Sequence, residues 1–194
     1  MKRDAQLALS VAGQRALNQF ADAFRQKEVT TRRHLSQEEE SALVAAVNST
    51  GTLRDRTIIT LLLHIGLRAR ELCTLTRKQM HLGKPNGTLR IIGKRNKFRD
   101  VPLNATAWSL LGMYLETLLK ESIYLFSSEK TQEALTERAL GHLVDVSPHD
   151  LRHRFGYRMV EVVPLHRLAQ IMGHDSLDTT MLYIRGQSKI CNKM

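Results

Sequence analysis

The sequence predicts a mainly α-helical protein with one small antiparallel β-sheet, an α+β fold. Apolar residues recur at helical spacing in most segments, most clearly in 53–65 and 104–120. Two short stretches of strand-like composition, 88–92 and 100–103, flank a basic turn and predict a hairpin. The 194 residues, 42% of them hydrophobic, suffice for one substantial core.

End signals predict where the helices begin and end. Ser36 and Glu39 have the spacing of a capping box, so a helix begins there, and Gly51 ends it. The next helix, 53–65, is apolar on most sides, which predicts a central position. Gly66 stops it as a C′ glycine. Further helices are predicted to begin at Asn104, Thr136, Pro164 and Asp175.

The stretch 147–154 predicts a helix start with anion-binding chemistry. Ser147 suits the N-cap and Pro148 the first helical position. His149 and Arg152 are three residues apart, so they lie side by side near a helix N-terminus, where anions are favoured. A surface charge cluster is the alternative interpretation. Apolar residues at helical spacing predict one buried face: Leu151, Phe155, Met159 and Val162.

The domain organisation follows from segment length. Residues 1–33 are predicted to form a helical segment and linker and not an independent domain, because a self-sufficient core needs ~70 residues. The basic stretch 30–34 is equally well interpreted as a solvated charge run or as a DNA contact. Residues 34–194 are predicted to form the compact domain, with a short C-terminal tail.

The composition of the chain indicates which kinds of partner and which cellular compartment to expect. A net charge of +10 favours a polyanion such as nucleic acid, although a basic surface without such a partner is the alternative. Two cysteines give neither a disulfide framework nor a zinc set. Because the chain lacks an apolar run of ~20 residues and an N-terminal hydrophobic signal region, we expect a cytoplasmic protein without a membrane partner.

Five short motifs occur along the chain in a fixed order. They are Gly66-Leu67-Arg68 with Glu71-Leu72, Gly93-Lys94, His149-Asp150-Leu151-Arg152, Gly173-His174, and Tyr183. Together they resemble the catalytic domain of the tyrosine recombinases, the phage-integrase and Xer-like family. The resemblance covers residues 35–183 and implies a mainly α catalytic domain with a small antiparallel sheet.

The resemblance implies a phosphate clamp. Arg68 and Arg152 would hold the scissile phosphate, and His174 would hydrogen-bond one of its oxygens. Glu71, three residues after Arg68, is predicted to orient Arg68 and not to react. Guanidinium groups match phosphate oxygens in pairs, and cationic donors supply most of the catalysis in phosphoryl transfer. Alternatively, Arg68 caps the preceding helix or pairs with Glu71 on the surface, and His174 is a structural histidine.

The resemblance also implies a nucleophile with proton donors and acceptors. Tyr183 would attack the phosphorus to give a 3′-phosphotyrosyl link and a free 5′ hydroxyl, His149 would assist the tyrosine proton, and Lys94 would protonate the leaving 5′ oxygen. A tyrosine with a pKa of ~10 needs such help to ionise. Lys97 is the alternative to Lys94. His149 and Tyr183 also admit purely structural roles.

Further cations are candidates for contact with the DNA backbone, with a solvated charged face as the alternative. The candidates are Arg95, Lys97, Arg99 and Arg154, followed by Arg158 and Arg167. The expected partner is double-stranded DNA, bound by a dimer or tetramer of this chain. No cofactor or metal is expected, because the covalent intermediate conserves the phosphodiester energy and no acidic cluster has two-metal spacing.

The predicted function is that of a site-specific DNA recombinase of the integrase, resolvase or invertase type. Three departures from the family pattern motivate an alternative, a truncated relative that only binds DNA or is the remnant of a mobile element. These departures are the short segments 1–33, 136–148 and 184–194. A topoisomerase with the same chemistry and a helix-turn-helix regulator are more distant alternatives.

Overall fold

The computed structural model describes residues 35–83, 87–93, 97–119, 121–128, 131–144 and 146–191. The predicted N-terminal segment 1–33, and with it the division of the chain into two parts, lies outside these ranges. Lys94 and Arg95 also lie outside the described residues. Within them, no helix is long and apolar enough to cross a membrane.

The described residues form eight α-helices and a three-stranded antiparallel sheet, which confirms the predicted fold class. The helices are α1 (Gln37–Thr50), α2 (Leu53–Ile65), α3 (Ala69–Cys73), α4 (Ala105–Thr117), α5 (Glu137–Val144), α6 (Pro148–Met159), α7 (Leu165–Met172) and α8 (Leu177–Cys191). The strands are β1 (Met80–Leu82), β2 (Gly87–Ile92) and β3 (Phe98–Pro102).

Helix α2 is the centre of the core, as its nearly all-round apolar sequence predicts. Ile58, Leu61 and Leu62 are fully buried, and the helix packs against α1, α4 and α6. It ends at Gly66, whose φ of 66° lies in the left-handed region that favours glycine. This sharp ending directs the chain into α3, and it positions the start of the candidate site.

The sheet has the strand order β1-β2-β3, and both neighbouring pairs are antiparallel. Leu89 pairs with Val101, and both side chains are buried against the helices. Strand β1 was not predicted, because its three residues are too few to show an alternating pattern. Strand β3 begins at Phe98, two residues earlier than predicted, because Ile92 pairs with Phe98 at the end of the hairpin.

Three helix ends in the structure differ from those that the sequence predicts. Val162 lies beyond α6 and is exposed, so the predicted apolar face ends earlier. Asp175 does not cap the last helix; instead, Ser176 Oγ accepts the backbone N–H of Asp178 at 3.1 Å. Helix α8 continues to Cys191, through most of a tail whose sequence shows no amphipathic pattern.

Candidate active site

A cleft of about 650 Å³ opens where the beginnings of α3 and α6 meet the turn after α7. Its walls include Arg68, His149, Arg152 and His174, which come from three separate parts of the sequence. The structure therefore gathers four of the six predicted catalytic residues around one space. Of the other two, Lys94 lies outside the described residues, and Tyr183 does not line the cleft.

Arg68 owes its position to the turn that ends α2. It is the N-cap residue of α3, and its backbone N–H donates to Glu71 Oε2 at 2.8 Å. Its guanidinium donates to Glu71 Oε1 at 3.0 Å and also to the carbonyl of Gly173. Glu71 therefore holds both the backbone and the side chain of Arg68 in the structure.

Arg152 is buried, with only 5% of its surface exposed. Its guanidinium donates to the carbonyl of Gly66 at the end of α2 and to the carbonyl of Met172, at 2.6 Å, at the end of α7. Burial, followed by the nearby charge of Arg68, lowers the pKa of Arg152 to about 10. The guanidinium groups of Arg68 and Arg152 line the same cleft, and two positive charges on one cleft favour an anion between them.

His174 follows Gly173, whose φ of 64° ends α7 in the left-handed region. A hydrogen bond of 2.8 Å joins its Nδ1 to the Thr180 hydroxyl on α8. Burial, and then the charges of Arg152 and Arg68, lowers the pKa of His174 to about 4. The imidazole is therefore neutral at pH 7. In the tautomer whose Nδ1 accepts from the Thr180 hydroxyl, Nε2 carries the N–H that a phosphate oxygen can accept.

The depressed pKa of His174 predicts a pH-dependent stability. In the unfolded chain the His174 imidazole is protonated below about pH 6.5, whereas in the native chain it is protonated only below about pH 4. Between these pH values the unfolded state therefore binds more protons than the native state. The free energy of unfolding should therefore fall by roughly 1–3 kcal/mol from this group as the pH drops from 7 to 4, the lower figure allowing for solvent screening of a half-buried ring. Urea unfolding across that range measures the loss, and His174→Gln should flatten the curve. An unchanged curve in the variant would contradict this assignment.

His153 is a site residue that sequence reasoning missed. It lies one turn after His149 on α6, and the Nε2 atoms of the two rings are 2.7 Å apart. The His153 ring also contacts Tyr183, with ring centroids 5.6 Å apart. The spacing of four residues from His149 was a usable signal, since such pairs are neighbours on a helix.

Tyr183 is nearly buried, with 3% of its surface exposed. Its ring packs between Tyr157 and His174, with centroids at 5.2 and 6.2 Å, and covers Gly156, where a Cβ atom would lie 2.5 Å from the tyrosine Cζ. Burial raises the pKa of Tyr183, while the charge of Arg152 acts in the opposite direction. The phenol is therefore protonated at neutral pH and needs a base before it can attack.

Three of the predicted DNA-backbone contacts pair with carboxylates of the protein itself. Arg154 Nε donates to Glu40 on α1 at 2.5 Å, and Arg158 donates to the other oxygen of the same carboxylate. Arg99 is paired with Glu71 inside the domain. These partners lie far away in the sequence, so only the fold could reveal them. Lys97 is exposed in the turn of the hairpin, and its contact with phosphate stays a prediction.

The sequence model of the phage integrase family matches residues 33–189. The chain belongs to the phage integrase family. This match confirms the resemblance that the five motifs carry, and it covers every predicted site residue.

Curated relatives of this phage integrase family chain are tyrosine recombinases. The chain is 31% identical to tyrosine recombinase XerA of Pyrococcus furiosus over 187 residues, which are 89% of this chain and 65% of the relative. It is 34% identical to tyrosine recombinase XerD of Pseudomonas aeruginosa over 169 residues, 77% of this chain and 56% of the relative. The chain thus spans between about half and two thirds of these relatives.

Solved structures of recombinases share the fold. A crystal structure of XerA recombinase matches with a TM-score of 0.68 and 25% identity, over 80% of this chain and 61% of that one. A structure of XerH site-specific recombinase, bound to palindromic difH substrate in a post-cleavage complex, matches with a TM-score of 0.68 and 25% identity, over 84% and 52%. The fold of the described domain is therefore that of a tyrosine recombinase catalytic domain.

Proposed function

We propose that this chain is a site-specific recombinase that breaks and rejoins double-stranded DNA through a 3′-phosphotyrosyl intermediate. The observation that carries the proposal is the cleft in which Arg68, His149, Arg152 and His174 converge. Their guanidinium and imidazole donors suit the charge that builds on a phosphoryl group during transfer. Family membership and the tyrosine recombinase relatives support the same conclusion.

The proposed reaction exchanges one phosphodiester for another. Tyr183 Oη bonds to the phosphorus while the bond from phosphorus to the 5′ oxygen breaks. His149 accepts the phenolic proton, and Lys94, with Lys97 as its alternative, donates a proton to the leaving oxygen. Arg68 and Arg152 hold the phosphate oxygens. The energy of the broken bond is kept in the protein–DNA link, so rejoining needs no cofactor.

Attack by Tyr183 requires a movement. The ring is almost fully covered and lies outside the cleft, so α8 or the side chain must shift before Oη meets a DNA phosphate. The ring contacts that must change include those with Gly156, His153, Tyr157 and His174. Because these contacts are ring packing and involve no ion pair, the shift breaks no salt bridge at the ring itself.

A nicked duplex that traps cleaved strands tests the proposal. The wild-type chain should yield a DNA adduct that survives denaturation, joined through a 3′-phosphate and leaving a free 5′ hydroxyl. Denaturing gels detect the adduct, and end-labelling of the released strand identifies its terminus. A 5′-linked adduct, with a 3′ hydroxyl at the point of cleavage, would exclude this mechanism.

A chain that binds DNA without cutting it is the second candidate function. One observation favours it: Tyr183 is covered, with 3% of its surface exposed. In this case the trap duplex gives no adduct, but affinity for DNA falls steeply with salt because lysine and arginine contacts release counterions from the phosphates. The same assay therefore separates the two candidates.

We further propose that the chain acts as a dimer or tetramer on DNA, in the cytoplasm and at the nucleoid. Leu177, Met181 and Ile184 are exposed and recur on one face of α8. An apolar face of this kind stabilises association when it is covered by another subunit. The predicted homo-oligomer is consistent with this exposed face, and light scattering with and without a target duplex measures it.

A further inference from the structure

We propose that Arg99 is a positioning residue for the phosphate clamp and not a DNA-backbone contact, a role that depends on the proposed recombinase function. Arg99 lies on β3 and does not line the cleft. It acts on the cleft through two groups, the carboxylate of Glu71 and the carbonyl of Ile171. Glu71 lies in α3, which Arg68 caps, and Ile171 lies at the end of α7, three residues before His174.

The first connection is a paired salt bridge with Glu71. Arg99 Nη1 and Nη2 each donate to one carboxylate oxygen, both at 2.8 Å, and the side chains are only 13% and 8% exposed. Glu71 in turn accepts from the backbone and the guanidinium of Arg68. Burial alone would raise the pKa of Glu71, but the hydrogen bonds and charge of Arg99, and then those of Arg68, hold it below its ordinary value. Arg99 therefore keeps Glu71 ionised and in place to orient Arg68.

The second connection is to the end of α7. Arg99 Nε donates to the carbonyl of Ile171 at 2.9 Å. The next two carbonyls, of Met172 and Gly173, accept from Arg152 and Arg68. Three consecutive carbonyls at one helix end thus bind three arginines from three elements, a place where the helix dipole favours cations.

Close packing adds to these hydrogen bonds. A Cβ atom at Gly173 would lie 2.9 Å from Cζ of Arg99, so the guanidinium lies directly against the turn that leads into His174. Arg99 therefore links the hairpin strand to Arg68 on one side and to His174 on the other. A shift of about 1 Å in such groups can slow a reaction by about 10²-fold.

Replacing Arg99 with lysine distinguishes the two roles. Lysine keeps the charge and binds phosphate well, but its single ammonium cannot span both oxygens of Glu71 and the Ile171 carbonyl. We expect Arg99→Lys to slow single-turnover adduct formation by about 10- to 100-fold at saturating DNA, with little change in DNA affinity. A phosphate contact would instead leave Arg99→Lys nearly normal, and Arg99→Ala would lower the salt slope of binding by about one.

Arg90→Lys is the matched control. Arg90 lies on the neighbouring strand, and it also forms a paired salt bridge, donating to Asp100 at 2.9 and 3.1 Å, but its side chain is 50% exposed. It contacts no clamp residue, so its replacement should leave the rate unchanged. All variants are compared well below their melting temperatures, so that loss of folded protein does not enter the rates.

A double-mutant cycle with Glu71→Gln identifies the route of the effect. If Arg99 acts through Glu71, adding Arg99→Lys to Glu71→Gln should slow the reaction far less than it slows the wild-type chain. Full additivity, or a wild-type rate in Arg99→Lys, would overturn the proposal.

A measurement without cleavage separates failure of this proposal from failure of the proposed function. Orthovanadate imitates the phosphoryl group, and its binding is followed by thermal shift in the intact chain. If the wild-type chain binds vanadate but forms no adduct, the recombinase proposal fails, while about 10-fold weaker vanadate binding by Arg99→Lys still supports the positioning role. Equal vanadate binding in the variant and the wild-type chain would refute it, and no binding by the wild-type chain would refute the clamp itself.

Discussion

A Tyr183→Phe variant should form no covalent adduct with a trap duplex, although it binds that duplex as tightly as the wild-type chain. Phenylalanine keeps the ring that packs on Gly156 and contacts His153, so the fold around the site is preserved. Only the hydroxyl is lost, and with it the sole oxygen that the mechanism allows to attack. Because burial raises the pKa of Tyr183, the substitution removes no charge at neutral pH. Denaturing gels measure the adduct, and fluorescence anisotropy measures the affinity.

Tyr157→Phe is the control for that experiment. Tyr157 lies edge-on against Tyr183 and offers a second phenol in the same cluster, with a pKa that is also raised by burial. Its variant should keep adduct formation. An adduct that persists in Tyr183→Phe but disappears in Tyr157→Phe would move the nucleophile to Tyr157, and an adduct in both would place it elsewhere in the chain.

A Gly66→Ala variant should lose about 4 kcal/mol of unfolding free energy, the largest stability change that we expect from a single methyl group. Two costs add at this position. The φ of 66° is a strained conformation for alanine, and the new Cβ would lie 2.2 Å from the ring of buried Phe155. Because Gly66 also accepts a hydrogen bond from Arg152, the cleft should be disturbed as well. Urea unfolding followed by circular dichroism measures the change.

Gly112→Ala on α4 is the contrasting substitution. A Cβ atom there meets nothing within 4 Å, and the residue is inside a helix. Alanine should therefore stabilise the protein by about 0.5–1 kcal/mol. Equal destabilisation of both variants would contradict the positive φ and the contact with Phe155 as the causes of the loss at Gly66.

Local signals were sufficient to predict most of the helices. Ser36 with Glu39, Asn104 and Ser147 all cap helices in the structure as their spacing indicates. These interactions join residues two or three positions apart, so the sequence alone contains them. The same holds for Gly66 and for the central helix α2, whose apolar residues surround it on most sides.

Interactions between distant segments were beyond sequence reasoning. Arg99 and Arg154 were interpreted as exposed cations, but each meets a buried carboxylate, Glu71 or Glu40, that is 28 or 114 residues away. Charge and spacing cannot tell a solvated arginine from a paired one. For the cleft, the ordered motifs predicted which residues converge, but they did not indicate that Tyr183 would be covered.

The ring of Tyr183, held beneath neighbouring side chains, has a consequence for a protein with a strongly positive surface. Such a surface attracts any duplex, and an uncovered nucleophile beside a preformed phosphate clamp would nick DNA wherever it landed. In the recombinase that we propose, covering Tyr183 Oη would prevent cleavage until alignment at a target site supplies the free energy that exposes it. The choice between DNA sites would then depend on exposure of Tyr183 Oη, a step that follows DNA binding.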